Sequence, residues 1–175
     1  MEEKKKLPAK LMRDSRAVKS SFVLPSDTNT HRTLFGGKLM SYIDDIAAIS
    51  ATKHARTYTV TASTDSVDFL HPIKEGYTVN LESIVTWTHK TSMEVFVKIF
   101  AENLLEGTKV ICATSFLTFV ALDKEGKPTI VPEVIPETRE ELFLHNTAPT
   151  RAETRQNRRK ESERFAKEFG VVKPS

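Results

Sequence analysis

Asp44 stands seven residues after the pair Gly36-Gly37, within the stretch TLFGGKLMSYIDDIAAISATKH at 33–54. The types and spacing are those of a carboxylate and a set of backbone donors on one helix. Leu39, Met40, Ile43, Ile46, Ala47, Ser50 and Ala51 recur in steps of three and four, which predicts an amphipathic helix. At about 100° per residue, Asp44 falls just beyond the edge of that apolar stripe, and Asp45 falls on the far side in solvent. A carboxylate at a core margin costs free energy unless it is hydrogen-bonded, so Asp44 is either an acid–base group or one half of a quiet pair with Lys or backbone. Gly36 and Gly37 lack a Cβ, and the first turn of a helix offers unpaired N–H groups of positive dipole character. That suits a developing oxyanion. A Gly-Gly pair equally serves a tight turn or close packing of a helix on a sheet.

The flanking segments are what must position these groups. AVKSSFVL at 17–24 reads as a short strand, and Pro25-Ser26-Asp27-Thr28-Asn29 has turn chemistry, with Asn29 a turn or capping residue. After the helix, Tyr58, Val60 and Ala62 alternate with threonines, and Val67 and Phe69 then alternate in the opposite parity. A bulge or register change near Ser63–Ser66 is expected. His71-Pro72 ends that strand ahead of a turn at Lys74-Glu75-Gly76. Two alternating runs, Val79 to Trp87 and Met93 to Ile99, flank His89-Lys90-Thr91-Ser92 and form a hairpin. KVICATSFLTFVAL at 109–122 is apolar on nearly every side and reads as a central strand buried on both faces. Prolines 128, 132 and 136 mark an exit into extended chain; beyond Glu137 the chain is charged and helix-compatible, with sparse apolar positions at Leu142, Phe143, Phe165 and Phe169. A terminal helix packed on the surface or on a neighbouring subunit is expected there.

Three segments result: a basic N-terminal arm at 1–14, a folded domain at 15–136 and a charged helical extension at 137–175. The class is α+β, one long helix followed by antiparallel strands. A single helix cannot cover both faces of such a sheet, so a second sheet or a second copy must, which predicts an oligomer.

Composition bounds the function. A chain of 175 residues, 39% hydrophobic and 28% charged, fits one globular domain. The single cysteine, Cys112, excludes an intrachain disulfide and reads as an inert core residue. No apolar run approaches the roughly 18 residues of a membrane span, and MEEKKKLPAK lacks the apolar core of a signal peptide; a cytoplasmic protein without a membrane partner is expected. The net charge of +3 divides into +3 on residues 1–16, +4 on 151–175 and −4 on the body between. Basic ends attract anions, but aromatics are few near them and no nucleic-acid motif is present, so nucleic acid is not an expected partner. His31, His54, His71, His89 and His145 are scattered in no catalytic or metal-binding spacing, and no metal site is expected.

LPSDTNTHRTLFGGKLMSYIDDIAAISATKH, VTASTDSVDFLHPIKEGY, HKTSMEVFVKIF and ATSFLTFVALDKEGKP, in that order, closely resemble the hotdog-fold acyl-CoA thioesterases of the cytosolic acyl-CoA hydrolase group. The resemblance covers residues 15–136. It implies an antiparallel β-sheet wrapped around one long central helix, two protomers joined into a continuous sheet, and trimers of dimers. It also implies that Asp44 is the catalytic carboxylate, faced across the dimer interface by Asn29 of the other protomer, and that Gly37 with Gly36 forms the oxyanion-hole segment. Ser63 and Thr64 lie on the strand that approaches the site in related proteins. Lys90, Thr91 and Ser92 correspond to the loop that contacts the nucleotide of coenzyme A, and Arg151, Arg155 and Arg158 are further candidates for its phosphates. The resemblance departs at His31-Arg32-Thr33, where relatives often carry a glycine.

The implied activity is hydrolysis of fatty acyl-CoA to free acid and coenzyme A, with no separate cofactor because coenzyme A belongs to substrate and product. Asp44 would activate water or attack the thioester carbonyl itself. The sequence does not set the acyl chain length, which depends on the depth of the tunnel between helix and sheet; Met40, Tyr42 and Phe69 are the candidates to plug it. The alternative is a non-catalytic acyl-CoA-binding or lipid-sensing hotdog protein in which Asp44 merely orders the helix; a hydratase or dehydratase would call for a His-centred site that the sequence lacks.

Overall fold

The structure is a computed structural model describing residues 7–170. Its elements are β1 (Lys10–Leu11), β2 (Ala17–Phe22), α1 (Gly36–Ala55), β3 (Tyr58–Phe69), β4 (Thr78–Thr88), β5 (Ser92–Asn103), β6 (Thr108–Leu122), β7 (Val134–Ile135) and α2 (Arg139–Glu168). Five strands form one antiparallel sheet in the order β2-β4-β5-β6-β3.

Helix α1 lies against one face of that sheet. Leu39, Ile43, Ile46, Ala47 and Ala51 are buried there against Val79, Leu81, Val95, Val97, Leu117 and Phe119, the stripe expected from the sequence except for Met40, which is exposed. Ser50, also on the stripe, is tolerated because its hydroxyl meets that of Ser83 at 2.5 Å. Ser83 Oγ donates to the Ile46 carbonyl at 3.0 Å, which leaves Ser50 as the donor between the two hydroxyls.

The other face is covered in part by the chain's own α2. Thr138 and Glu141 form a capping box that starts this helix. Its expected apolar anchors Leu142, Phe143, Phe165 and Phe169 are exposed. It docks instead through small apolar and polar residues: Ala148 and Ala152 are buried, Arg151 grips the fully buried Glu94 of β5, with Nε and Nη2 at 3.0 and 2.8 Å from its carboxylate oxygens, and its guanidinium lies 4.2 Å from the ring centre of Phe116 on β6. The central position in the sheet belongs to β5; β6 lies beside it, with Thr108–Ile111 at its start exposed. From Cys112 onward its helix-side residues Ala113, Ser115, Leu117, Phe119 and Ala121 are buried, while Thr114, Phe116, Val120 and Leu122 on the opposite face are half-buried, so the run is not buried on both faces as its composition indicated.

The described part of the basic arm is built into the body. Lys10 and Leu11 pair in parallel with Val134 and Ile135, and Met12 is fully buried; residues 1–6 lie outside the described set. Lys10 Nζ donates to the His54 carbonyl at 2.6 Å, a cation on an otherwise orphan acceptor in the last turn of α1. Two-residue strands carry almost no alternation, which is why the sequence did not disclose them.

His54 itself is buried. Its Nε2–H donates to the Pro132 carbonyl at 2.8 Å, and Nδ1 has no partner among the described residues. Burial holds this imidazole below the usual histidine range, the bond to Pro132 opposes that shift, and the Lys10 cation reinforces it. The folded form therefore resists a proton that the unfolded chain takes up near pH ~6.5. Stability is expected to fall as pH drops below about 6.5, and urea midpoints across that window should fall less steeply for His54→Gln than for the parent. Equal slopes would contradict it.

Candidate active site

The Asp44 carboxylate is exposed in the single chain, and its Oδ1 accepts a hydrogen bond of 2.8 Å from Thr61 Oγ1. Neighbouring Asp45 forms an exposed ion pair with Lys19 at 2.6 Å. Thr61 reaches Asp44 because of the register of β3 on β6. Tyr58 through Thr61 pair with Leu122 through Phe119; the ladder then skips Ala62 and Asp65 before Val67 pairs with Ser115 and Phe69 with Ala113. There are thus two bulges, and each reverses the facing of the residues beyond it. Thr59, Thr61, Thr64, Val67 and Phe69 share the helix-side face, and Tyr58 and Val60 point the other way and stand exposed. The register change lies where the sequence indicated, but it is double. The residues that meet α1 before it are threonines: Thr59 Oγ1 lies 3.0 Å from Thr52 Oγ1 on the same helix.

At the start of α1, Phe35 is the N-cap residue and provides no side-chain cap. The N–H groups of Lys38 and Leu39 return to the Phe35 carbonyl at 3.0 and 3.1 Å. Those of Gly36 and Gly37 meet no acceptor among the described residues. They are two donors at the positive end of a 20-residue helix. A Cβ at Gly37 would come within 2.6 Å of the Phe35 ring, so this glycine lets that ring lie close, whereas one at Gly36 would make an ordinary 3.8 Å contact with the Phe69 ring.

Asn29 holds its turn with both side-chain atoms. Oδ1 accepts from the N–H of His31 at 2.9 Å and of Thr33 at 3.2 Å, and Nδ2 donates to Thr33 Oγ1 at 3.0 Å. Arg32 takes the left-handed conformation, φ 56°, that a glycine adopts at no steric cost; the turn keeps its form with about 1–2 kcal/mol of strain. Asn29, Gly36, Leu39 and Phe69 line one groove of about 470 Å3 that does not include Asp44. Within one chain, Asn29 and Asp44 do not share a pocket.

A second groove, about 870 Å3, runs between the β4–β5 hairpin, β3 and α2. It brings together Ser63, Thr91, Ser92, Arg155 and Arg158 of the sequence-derived candidates, with Trp87 and His89 stacked at 5.9 Å along it. Lys90 and Thr64 do not line it. Arg155 and Arg158 are held by Asp65. Arg151 is committed to structure: besides Glu94, its nitrogens donate to Thr147 Oγ1 and the Leu144 carbonyl, each at 2.6 Å, which leaves little of the guanidinium for a phosphate. Thr61, Asp65 and Glu94 are residues that sequence reasoning did not single out. Only Thr61 left a signal there, the threonines alternating with Tyr58 and Val60.

A central helix clasped by an antiparallel sheet, with a carboxylate hydrogen-bonded to the sheet and free N–H donors at the helix start, is the arrangement of a hotdog fold. The thioesterase superfamily model matches residues 31–108. The chain is 60% identical to an uncharacterized acyl-CoA thioester hydrolase of Bacillus subtilis, YkhA, over 93% of this chain and 94% of that one. The acyl-CoA hydrolase of Staphylococcus aureus, solved with butyryl-CoA and coenzyme A, superposes with a TM-score of 0.89 at 48% identity, over 93% of this chain and 99% of that one. Variants of it with an aspartate, an asparagine or a threonine changed to alanine have also been solved. Those three positions are spaced along it by 15 and 17 residues, as Asn29, Asp44 and Thr61 are here. An apo-hexameric acyl-CoA thioesterase superposes with a TM-score of 0.85 at 48% identity, over 87% of this chain and 97% of that one. The chain belongs to the hotdog-fold acyl-CoA thioesterases of the thioesterase superfamily.

Proposed function

We propose that the protein hydrolyses fatty acyl-CoA at a site built by two chains, with Asp44 of one facing Asn29 of the other. The observation that carries this reading is the Asp44–Thr61 pair on a helix whose Gly36 and Gly37 N–H groups are unpaired. Those donors lie about 10 Å along the axis and in the groove of Asn29, so that they come to Asp44 from the partner as Asn29 does. Thr61 occupies Oδ1 and fixes the carboxylate plane, so Oδ2 is free to orient and deprotonate water or to attack the thioester carbon. Negative charge then gathers on the carbonyl oxygen, where a preorganised N–H donor contributes about 3–4 kcal/mol in comparable sites. The thiolate leaves readily, its conjugate acid being far stronger than an alcohol.

The partner's copy of Asn29 supplies the polar group opposite Asp44, since the groove that holds Asn29 in one chain does not include Asp44. The exposed apolar side chains of the edge strand β3, Tyr58 and Val60 among them, favour assembly with further copies, as dimers and then trimers of dimers. Thr91, Ser92 and Lys90 at the hairpin tip are the proposed contacts to coenzyme A, and Phe69 and Met40 bound the acyl chain.

Two measurements test this. Release of free thiol from acyl-CoAs of short to long chain should show turnover; acyl-CoA binding without thiol release would favour the non-catalytic alternative. Thr61→Val should lower kcat about tenfold with little change in KM, because it loosens the carboxylate without touching the substrate's remote contacts. A selective rise in KM would contradict that role.

A further inference from the structure

Helix α2 grips the second bulge of β3. Asp65, the bulged residue, has a side chain only 11% exposed. Its Oδ1 accepts from Arg158 Nη2 at 2.6 Å and from Ser63 Oγ; its Oδ2 accepts from Thr118 Oγ1 at 2.7 Å and Arg155 Nη1 at 3.4 Å. Arg158 Nη1 also donates to the Asp65 carbonyl, and Ser115 Oγ donates to the next one, Ser66, at 2.7 Å. These contacts hold the backbone as well as the side chain of the bulge.

A bulge leaves one residue outside the ladder, and sliding it back reverses the face of everything on one side. Downstream, Val67 is packed against the core and resists such a slip. Upstream lies Thr61, four residues away, in the short stretch between this bulge and the Thr59–Thr52 contact that ties the start of β3 to α1. That stretch is the part that would shift if the bulge let go, and it would carry the Thr61 hydroxyl off Asp44. We propose that Asp65, clamped by Arg155 and Arg158 of α2, is a positioning residue that keeps Thr61 on Asp44, so that the C-terminal helix sets the geometry of the active carboxylate. This rests on Asp44 being that carboxylate.

The test is steady-state thiol release by the assembled protein carrying Asp65→Asn, Thr61→Val, or both. Asp65→Asn is expected to lower kcat about tenfold with KM within about twofold, as displacement of a catalytic group by a fraction of an ångström to 1 Å does. On the Thr61→Val background it should cost nothing further, because the two changes act through one contact. Multiplying effects, or an unchanged kcat, would overturn the proposal. So would a raised KM with kcat intact, which would make Arg155 and Arg158 ligands of the coenzyme A phosphates instead. Should Asp65→Asn not fold, Arg158→Gln carries the same cycle, since its side chain is 41% exposed and Arg155 remains on the bulge. Asp44→Ala separates the two readings. Turnover by that variant defeats the catalytic assignment, whereas its inactivity beside an Asp65→Asn protein as active as the parent defeats the positioning role alone.

Discussion

Asp44→Ala is expected to reduce thioester hydrolysis by about 10²–10⁴-fold, the range over which a positioned acid–base group acts. The fold should survive. Asp44 is exposed in the chain, and the hydrogen bond that its carboxylate accepts comes from Thr61, so removing it costs about 1 kcal/mol, a shift in Tm of roughly 2–4 °C. Asp44→Asn sharpens the result, because the amide still accepts from Thr61 yet can neither take a proton from water nor attack the thioester. Equal losses in the two variants would mark the charge as the operative feature. Circular dichroism and the size of the assembly, measured beside activity, separate lost chemistry from lost structure; turnover retained by Asp44→Ala would remove the assignment.

The largest effect on stability is expected at Arg151. Glu94 is fully buried, and its oxygens are satisfied by Arg151 Nε and Nη2 and by Thr86 Oγ1 at 2.7 Å. Arg151→Ala leaves that carboxylate without its cation, a change that costs about 3–5 kcal/mol in buried pairs and a Tm drop of roughly 6–20 °C in a chain of this size. The contrast is Arg159, whose pair with Glu163 at 3.2 Å is open to solvent on both sides; Arg159→Ala should stay within about 0.5 kcal/mol. Replacing both members of the buried pair, as Glu94→Gln with Arg151→Met, should recover part of the loss, since no charge is then stranded. Thermal melts of the four proteins check the order, and an Arg151→Ala protein melting with the parent would contradict it.

The sheet and its helix were legible because their cores are apolar and periodic. Val79 to Trp87 and Met93 to Ile99 alternate cleanly, and both form long strands, with Trp87 displaced by a bulge after Val85. Asp44 was legible as a carboxylate on the margin of an apolar stripe, and Gly36-Gly37 as the opening of that helix. What escaped is polar or very short. α2 docks through Glu94–Arg151 and Asp65–Arg158, pairs separated by 57 and 93 residues that no local pattern connects. Thr61 escaped because strand reading tracks the apolar parity, and here Tyr58 and Val60 face away from the helix while the threonines face it. β1 and β7, two residues each, leave no periodic trace.

The measurement that bears most directly on the two-chain site is complementation. Asp44→Ala and Asn29→Ala protomers, each inactive alone, would be unfolded together, refolded and assayed for thiol release. In a mixed pair, one of the two sites carries both substitutions and the other carries neither. With random pairing, activity should return to about a quarter of wild type, as expected for an isologous dimer that builds each site from both chains. A mixture as inactive as its two components, in assemblies shown to have exchanged subunits, would mean that Asp44 and Asn29 do not meet across an interface.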